Sequence, residues 1–175
     1  MWNKFQTTHA GVGTLVDVYI DDTQQHIKRI FDASSVTCAG QKSRFDVKQI
    51  QEFFEWECYW LRKFEGSVWV PELVDIGENY IIQKYYRPCL LDDLHTNMPD
   101  VTDQVVDMYK FFKQANVFKR NGSLSNLTLN GDQLVAFDFK WARPRPDGLE
   151  MELRSYDEWL VKIDQSLPQT LRELL

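Results

Sequence analysis

Asn126 and Asp138 are two side chains whose types and spacing could do chemistry together. They bracket the stretch LTLNGDQLVAF, in which apolar residues alternate on either side of Asn130 and Gly131, the strongest short-range signal for a β-hairpin. Pairing a strand at 127–129 with one at 134–137 carries the chain in past Asn126 and out past Asp138 at one shared end. An amide oxygen and a carboxylate are hard donors, suited to magnesium carrying bound phosphates. Polar residues also flank ordinary hairpins, so the upstream chain has to decide between the two readings.

Glu57 is the second chemical signal. Over 45–64, Val47, Ile50, Phe54, Leu61 and Phe64 recur at steps of three and four, which predicts an amphipathic helix, and Glu57 falls on the apolar stripe. A carboxylate buried without a partner is costly, so Glu57 either meets a cation or sits at the stripe's edge and reaches water. Lys28 stands between Ile27 and Ile30 in an extended run over 25–31, where a lysine is usually solvated. Gly11 and Gly13 lie in FQTTHAGVGTLVDVYID, two strand-like stretches around a glycine turn that also includes Val16 and Val18. Glycines there either let backbone amides approach a phosphate or serve as turn residues with positive φ.

The elements that must position these residues follow in order. After Gly66 come extended runs over 68–76 and 80–86, joined by a turn at 77–79. Pro88 then breaks the strand, and 90–94 starts a short helical turn. A second helix is expected over 101–118, with Val105, Val106, Tyr109, Phe112 and Ala115 on one face. It delivers the chain to the polar stretch 119–140. Pro144 and Pro146 make 142–148 a loop, and a helix over 156–165 and a helical tail after Pro168 close the chain.

Composition bounds the function. The chain has 175 residues, 43% of them hydrophobic and 14% aromatic, enough for one domain or two small lobes with a real core. A net charge of −6 argues against general nucleic-acid binding. Cys38, Cys58 and Cys89 are odd in number and lack C-x-x-C spacing, so neither disulfides nor zinc are indicated. The expected location is a reducing cytoplasm, with no signal peptide and no membrane span.

The succession of these features resembles the protein-kinase fold from Phe5 to about Trp141. In the family's G-x-G-x-x-G-x-V loop, Gly11, Gly13 and Val18 match, and Val16 stands at the third glycine. The resemblance makes Lys28 the strand lysine that contacts nucleotide phosphates and Glu57 its helical partner. It also makes Gln83 the start of the connector bordering the adenine pocket, and Asn126 and Asp138 the magnesium ligands. The fold it implies is α+β: an N-terminal lobe over 1–86, with a five-stranded antiparallel sheet and the 45–64 helix, then a strongly reduced helical C-terminal lobe over 87–175.

Aligning H-R-D-x-x-x-x-N on Asn126 puts Lys119 at the histidine and Asn121 at the catalytic base. An amide cannot carry a proton away. Ser123 stands where a lysine usually steadies the transferring phosphate, and Lys140 replaces the last residue of D-F-G. The stretch after Asp138 holds no A-P-E-like segment. The resemblance therefore implies a pseudokinase that binds ATP and magnesium and acts through a protein partner or self-association, with no membrane or nucleic-acid partner. The alternatives are an active, atypical ATP-dependent phosphotransferase with Asn121 at the base position, and a ligand-free interaction module.

Overall fold

A computed structural model describes residues 1–4, 16–32, 45–88, 100–119, 126–144 and 157–174. The chain forms two compact units: Met1–Gly66 with Pro71–Tyr85, and Ser67–Val70 with Tyr86–Leu175.

The first unit is an antiparallel sheet with one long helix. Its strands are β1 (Trp2–Lys4), β2 (Asp17–Asp21), β3 (His26–Ile30), β4 (Leu73–Ile76) and β5 (Tyr80–Lys84), in the order β1-β2-β3-β5-β4. The β2–β3 turn is built by Asp21, whose Oδ1 accepts hydrogen bonds from the Gln25 and His26 amides while its Oδ2 accepts from the Thr23 hydroxyl. Gly77 closes the β4–β5 turn by donating its amide to the Tyr80 carbonyl at 3.0 Å. A Cβ on Gly77 would fall 2.0 Å from the Tyr80 ring, so that turn requires glycine. Of the extended run 68–76, only β4 forms a strand; Pro71 has no amide to donate.

Helix α1 (Val47–Lys63) starts at a capping box, in which the Gln49 amide donates to the Asp46 carboxylate at 2.8 Å and the Asp46 amide to the Gln49 side chain at 3.0 Å. Arg62 and Lys63 lie in its last turn, where cations complement the carbonyl end. Ile50, Phe53, Phe54, Glu57, Cys58, Trp60 and Leu61 are buried. Val47, expected on that stripe, is exposed, because it opens the helix beside its cap.

The second unit contains β6 (Arg87–Pro88), α2 (Val101–Gln114), β7 (Val117–Phe118), β8 (Leu127–Asn130), β9 (Gln133–Ala136), β10 (Arg143–Pro144), α3 (Asp157–Ile163) and α4 (Leu167–Leu174). Strands β6, β8 and β9 form one sheet in that order, and β7 pairs with β10. Pro88 thus lies within a short strand, and the first two residues of the expected loop after Ala142 extend to pair with Val117 and Phe118. The expected second helix ends at Gln114, and its last residues become β7. Val105, Leu134, Phe139, Leu160, Leu167 and Leu171 are fully buried here. Gln104 ties α2 to the hairpin, accepting from the Leu134 amide at 2.8 Å and donating to the Asp132 carbonyl at 2.9 Å.

The helical turn expected at 90–94, together with Gly11, Gly13, Asn121, Ser123, Cys38 and Cys89, lies outside the described residues. Among the described residues, no helix is long and apolar enough to cross a membrane.

Candidate functional site

In the first unit, strand parity decides which cation meets Glu57. Successive side chains on a strand point to opposite faces. Residue Arg29 pairs across the sheet with Val18 and Ile81, whereas Lys28 pairs with Tyr19 and Ile82. Ile81 is fully buried and Arg29 is 5% exposed, so theirs is the packed face. Arg29 Nη1 donates to Glu57 Oε1 in a buried ion pair, with Glu57 0% exposed.

Lys28 sits on the other face, its ammonium 3.9 Å from the centre of the Tyr80 ring. The cation expected beside Glu57 is therefore present, but it is Arg29; Lys28 is displaced from that role by one residue of register. Gln83 is buried on the Arg29 face. Its Oε1, like Glu57 Oε2, has no hydrogen-bond partner among the described residues. Val18, opposite Arg29, is half-buried.

A groove of about 620 Å³ runs along α1, lined by Phe54, Cys58, Tyr59, Ile76 and Gly77 together with the charged side chains Glu55, Arg62 and Lys63. Burial pushes the Cys58 thiol up to about 11, against the opposing pull of Arg62.

In the second unit, the hairpin brings Asn126 and Asp138 to one end. Leu127 pairs with Ala136, and the Phe137 amide donates to the Asn126 carbonyl at 3.0 Å, so Asp138 follows directly. Asp138 has φ of 67°, the left-handed region that non-glycine residues enter at a cost and that recurs where function holds it. Its Oδ1 accepts a hydrogen bond from the Lys140 ammonium, and both residues are buried, at 7% and 8% exposure.

The intervening Phe139 anchors this turn. It packs edge-on against Phe112 with centroids 5.9 Å apart, and its amide-bearing neighbour Ala142 donates back to the Phe139 carbonyl at 2.8 Å. The Lys119 ammonium lies 5.1 Å from the Phe139 ring centre. Arg143 donates to the carbonyls of Lys140 and Ala142 at 3.0 and 2.8 Å.

Asn126 and Asp138 have the donor chemistry of a magnesium site, but Asp138 already holds an ammonium, and buried Lys119 adds a second cation over the Phe139 ring. A dication placed there would face like charge, so this arrangement does not fit magnesium. Among the described residues, no group of three or more His, Cys, Asp and Glu side chains could hold a metal. Sequence reasoning noted Lys140 as a departure from D-F-G; its pairing with Asp138 needed the backbone turn to be seen.

No protein-family model matches the chain, and no curated protein matches it. Among solved structures, it is similar to WbdD bound to the kinase inhibitor LY294002, with a TM-score of 0.61 and 8% identity over 86% of this chain and 35% of that one. It is also similar to a structure of the bifunctional kinase-methyltransferase WbdD, with a TM-score of 0.58 and 10% identity over 86% of this chain and 34% of that one. Monomeric WbdD gives 0.60 and 10%, covering 86% and 37%. The chain thus spans about a third of those chains, and what it shares with them is a kinase-like fold.

Proposed function

We propose that this chain is a pseudokinase: a kinase-like module that binds a nucleoside triphosphate and acts by contacting another protein, without transferring phosphate. The observation that carries this reading is the buried Asp138–Lys140 pair. In phosphoryl transfer the protein mainly positions groups and neutralises charge, and an aspartate at the hairpin end serves by holding metal against the phosphates. Here that carboxylate is engaged by a lysine of its own turn. Asn121, aligned with the base, adds an amide that cannot accept the proton.

Thermal-shift titration with ATP is the direct test. Binding to the folded state alone raises the melting temperature, and at roughly 100 times Kd the gain is about 2.7 kcal/mol. No shift at millimolar ATP would remove the nucleotide from the proposal and leave the ligand-free module, with Arg29–Glu57 as a packing pair. An assay with radiolabelled ATP should show no phosphotransfer.

The groove along α1 supports the protein contact. Its lining sets two cations, Arg62 and Lys63, against one carboxylate, Glu55, beside the apolar Phe54 and Ile76, a local positive excess in a chain of net charge −6 that suits an acidic segment carrying one apolar anchor. A probe peptide with a phenylalanine flanked by glutamates should bind, and Arg62→Glu should weaken it about tenfold. Equal binding of a peptide with neutral flanks would rule out this recognition.

One observation favours a second reading, an atypical phosphotransferase: Asp138, in the left-handed region, directly follows Phe137, whose amide bonds the Asn126 carbonyl at the hairpin end. Labelling by the native chain that vanishes in Asp138→Ala would establish it. Asn121→Asp would then raise the rate.

A further inference from the structure

Lys140 is a lysine buried beside a carboxylate two residues away, in a turn that holds its backbone from two sides. The Ala142 amide closes the turn onto Phe139, and Arg143 grips the Lys140 carbonyl at 3.0 Å. Fully buried Phe139 fixes the turn to the core, so the ammonium has little freedom to leave Asp138.

We infer that the Lys140 ammonium takes the place of a divalent cation at Asp138, so that this chain binds nucleoside polyphosphates without metal. The inference rests on the nucleotide-binding reading above. A lysine ammonium is a compact charge with three donors, of which the Asp138 carboxylate uses one. Phosphate oxygens are acceptors for such donors, and charge-assisted bonds to them are short and strong. Lys119, its ammonium 5.1 Å from the Phe139 ring centre, adds a second positive charge beside that ring.

Magnesium is excluded by the same arrangement. It demands near-octahedral oxygen ligands and keeps several waters. To take Asp138 Oδ1 it would have to expel Lys140, which would forfeit the buried pair. An anion reaching the turn meets two ammoniums, Lys140 and Lys119, against the single Asp138 carboxylate, a net positive charge.

The test measures binding of a fluorescent ATP analogue to the full chain in EDTA and in magnesium. The native protein should give Kd values within about twofold in the two buffers. Lys140→Met, which keeps length and removes charge, should lose about tenfold in EDTA and regain most of it in magnesium, while Lys140→Arg should stay metal-independent. Native binding that needs magnesium would overturn the inference and leave the nucleotide reading standing, as would a Lys140→Met variant matching the native chain in both buffers. No binding in either buffer would overturn both. Should Lys140→Met fail to fold, the two-buffer comparison on the native chain decides alone.

Discussion

Glu57 is fully enclosed and bonded by Arg29, so its stability depends on that one guanidinium. Removing one member of a buried pair leaves an uncompensated charge at a cost of about 3–5 kcal/mol. Arg29→Met should lower unfolding free energy by that order in urea denaturation, whereas Lys28→Met, which gives up an exposed-side cation–π contact, should cost about 1 kcal/mol or less. The reverse ranking would show that the parity is misassigned. The sequence demanded a cation for Glu57, and the structure supplies one. The resemblance named Lys28 for that place, and pairing with β2 and β5 puts Arg29 instead on the face shared with Ile81. A further residue-scale outcome concerns Cys58: burial raises its thiol to about 11, so it should resist a disulfide reagent at pH 8 until denaturant is added. Rapid labelling of the folded chain would contradict its burial.

At the scale of elements, the turns carry the strictest demands. Gly131 and Asp132 are the two residues between paired Asn130 and Gln133, and Gly131 alone of the two has positive φ, at 61°. This is the pattern of a hairpin turn needing glycine at its first central position, one residue on from the Asn-Gly placement the sequence suggested. Gly131→Ala meets open space and should cost about 1–2 kcal/mol from the backbone alone. Gly77→Ala would in addition drive the Tyr80 ring away from Lys28 and from its 3.1 Å bond to Asp75, so its cost in denaturation should exceed that of Gly131→Ala. The β2–β3 turn makes a pH prediction. Desolvation pushes the Asp21 carboxyl up, but hydrogen bonds from His26, Thr23 and the Gln25 amide outweigh it and hold the group well below the usual range. A depressed carboxyl stabilises the fold above its unfolded pKa of about 3.9, and that contribution fades as pH falls through that value toward the folded one. Asp21→Asn should therefore be less stable than the native chain at pH 6, with the gap closing below about pH 4. A gap that widens in acid would reverse the sign. Helix α1 and the β8–β9 hairpin were legible because period and turn chemistry agree there. β7 and β10 were not, since two-residue strands carry no periodicity and depend on pairing between distant segments.

On the scale of the whole molecule, the order of elements was legible, whereas the passage of Ser67–Val70 into the second unit was not. The resemblance implied a five-stranded antiparallel sheet with one long helix, the structure has that sheet, and the likeness to WbdD extends the kinase-like fold over 86% of the chain. Nothing in SVWV distinguishes Ser67–Val70 from the strand after it, yet these residues belong to the second unit, where the Trp69 carbonyl accepts from the Ala136 amide at 2.8 Å. That bond predicts slow hydrogen exchange at Ala136 in the intact chain and faster exchange in a fragment spanning Tyr86–Leu175, which lacks Trp69. Equal protection in both would show that the tetrapeptide contributes nothing to the hairpin. The polypeptide passes between units after Gly66, after Val70 and after Tyr85. Three passages, where one would make beads on a string, interleave the two units along the sequence. Nicking the backbone between Tyr85 and Tyr86 would produce two polypeptides, and the first would still carry a piece of the other's body. Such halves should co-purify, and one would have to be unstitched from the other before either could be obtained alone.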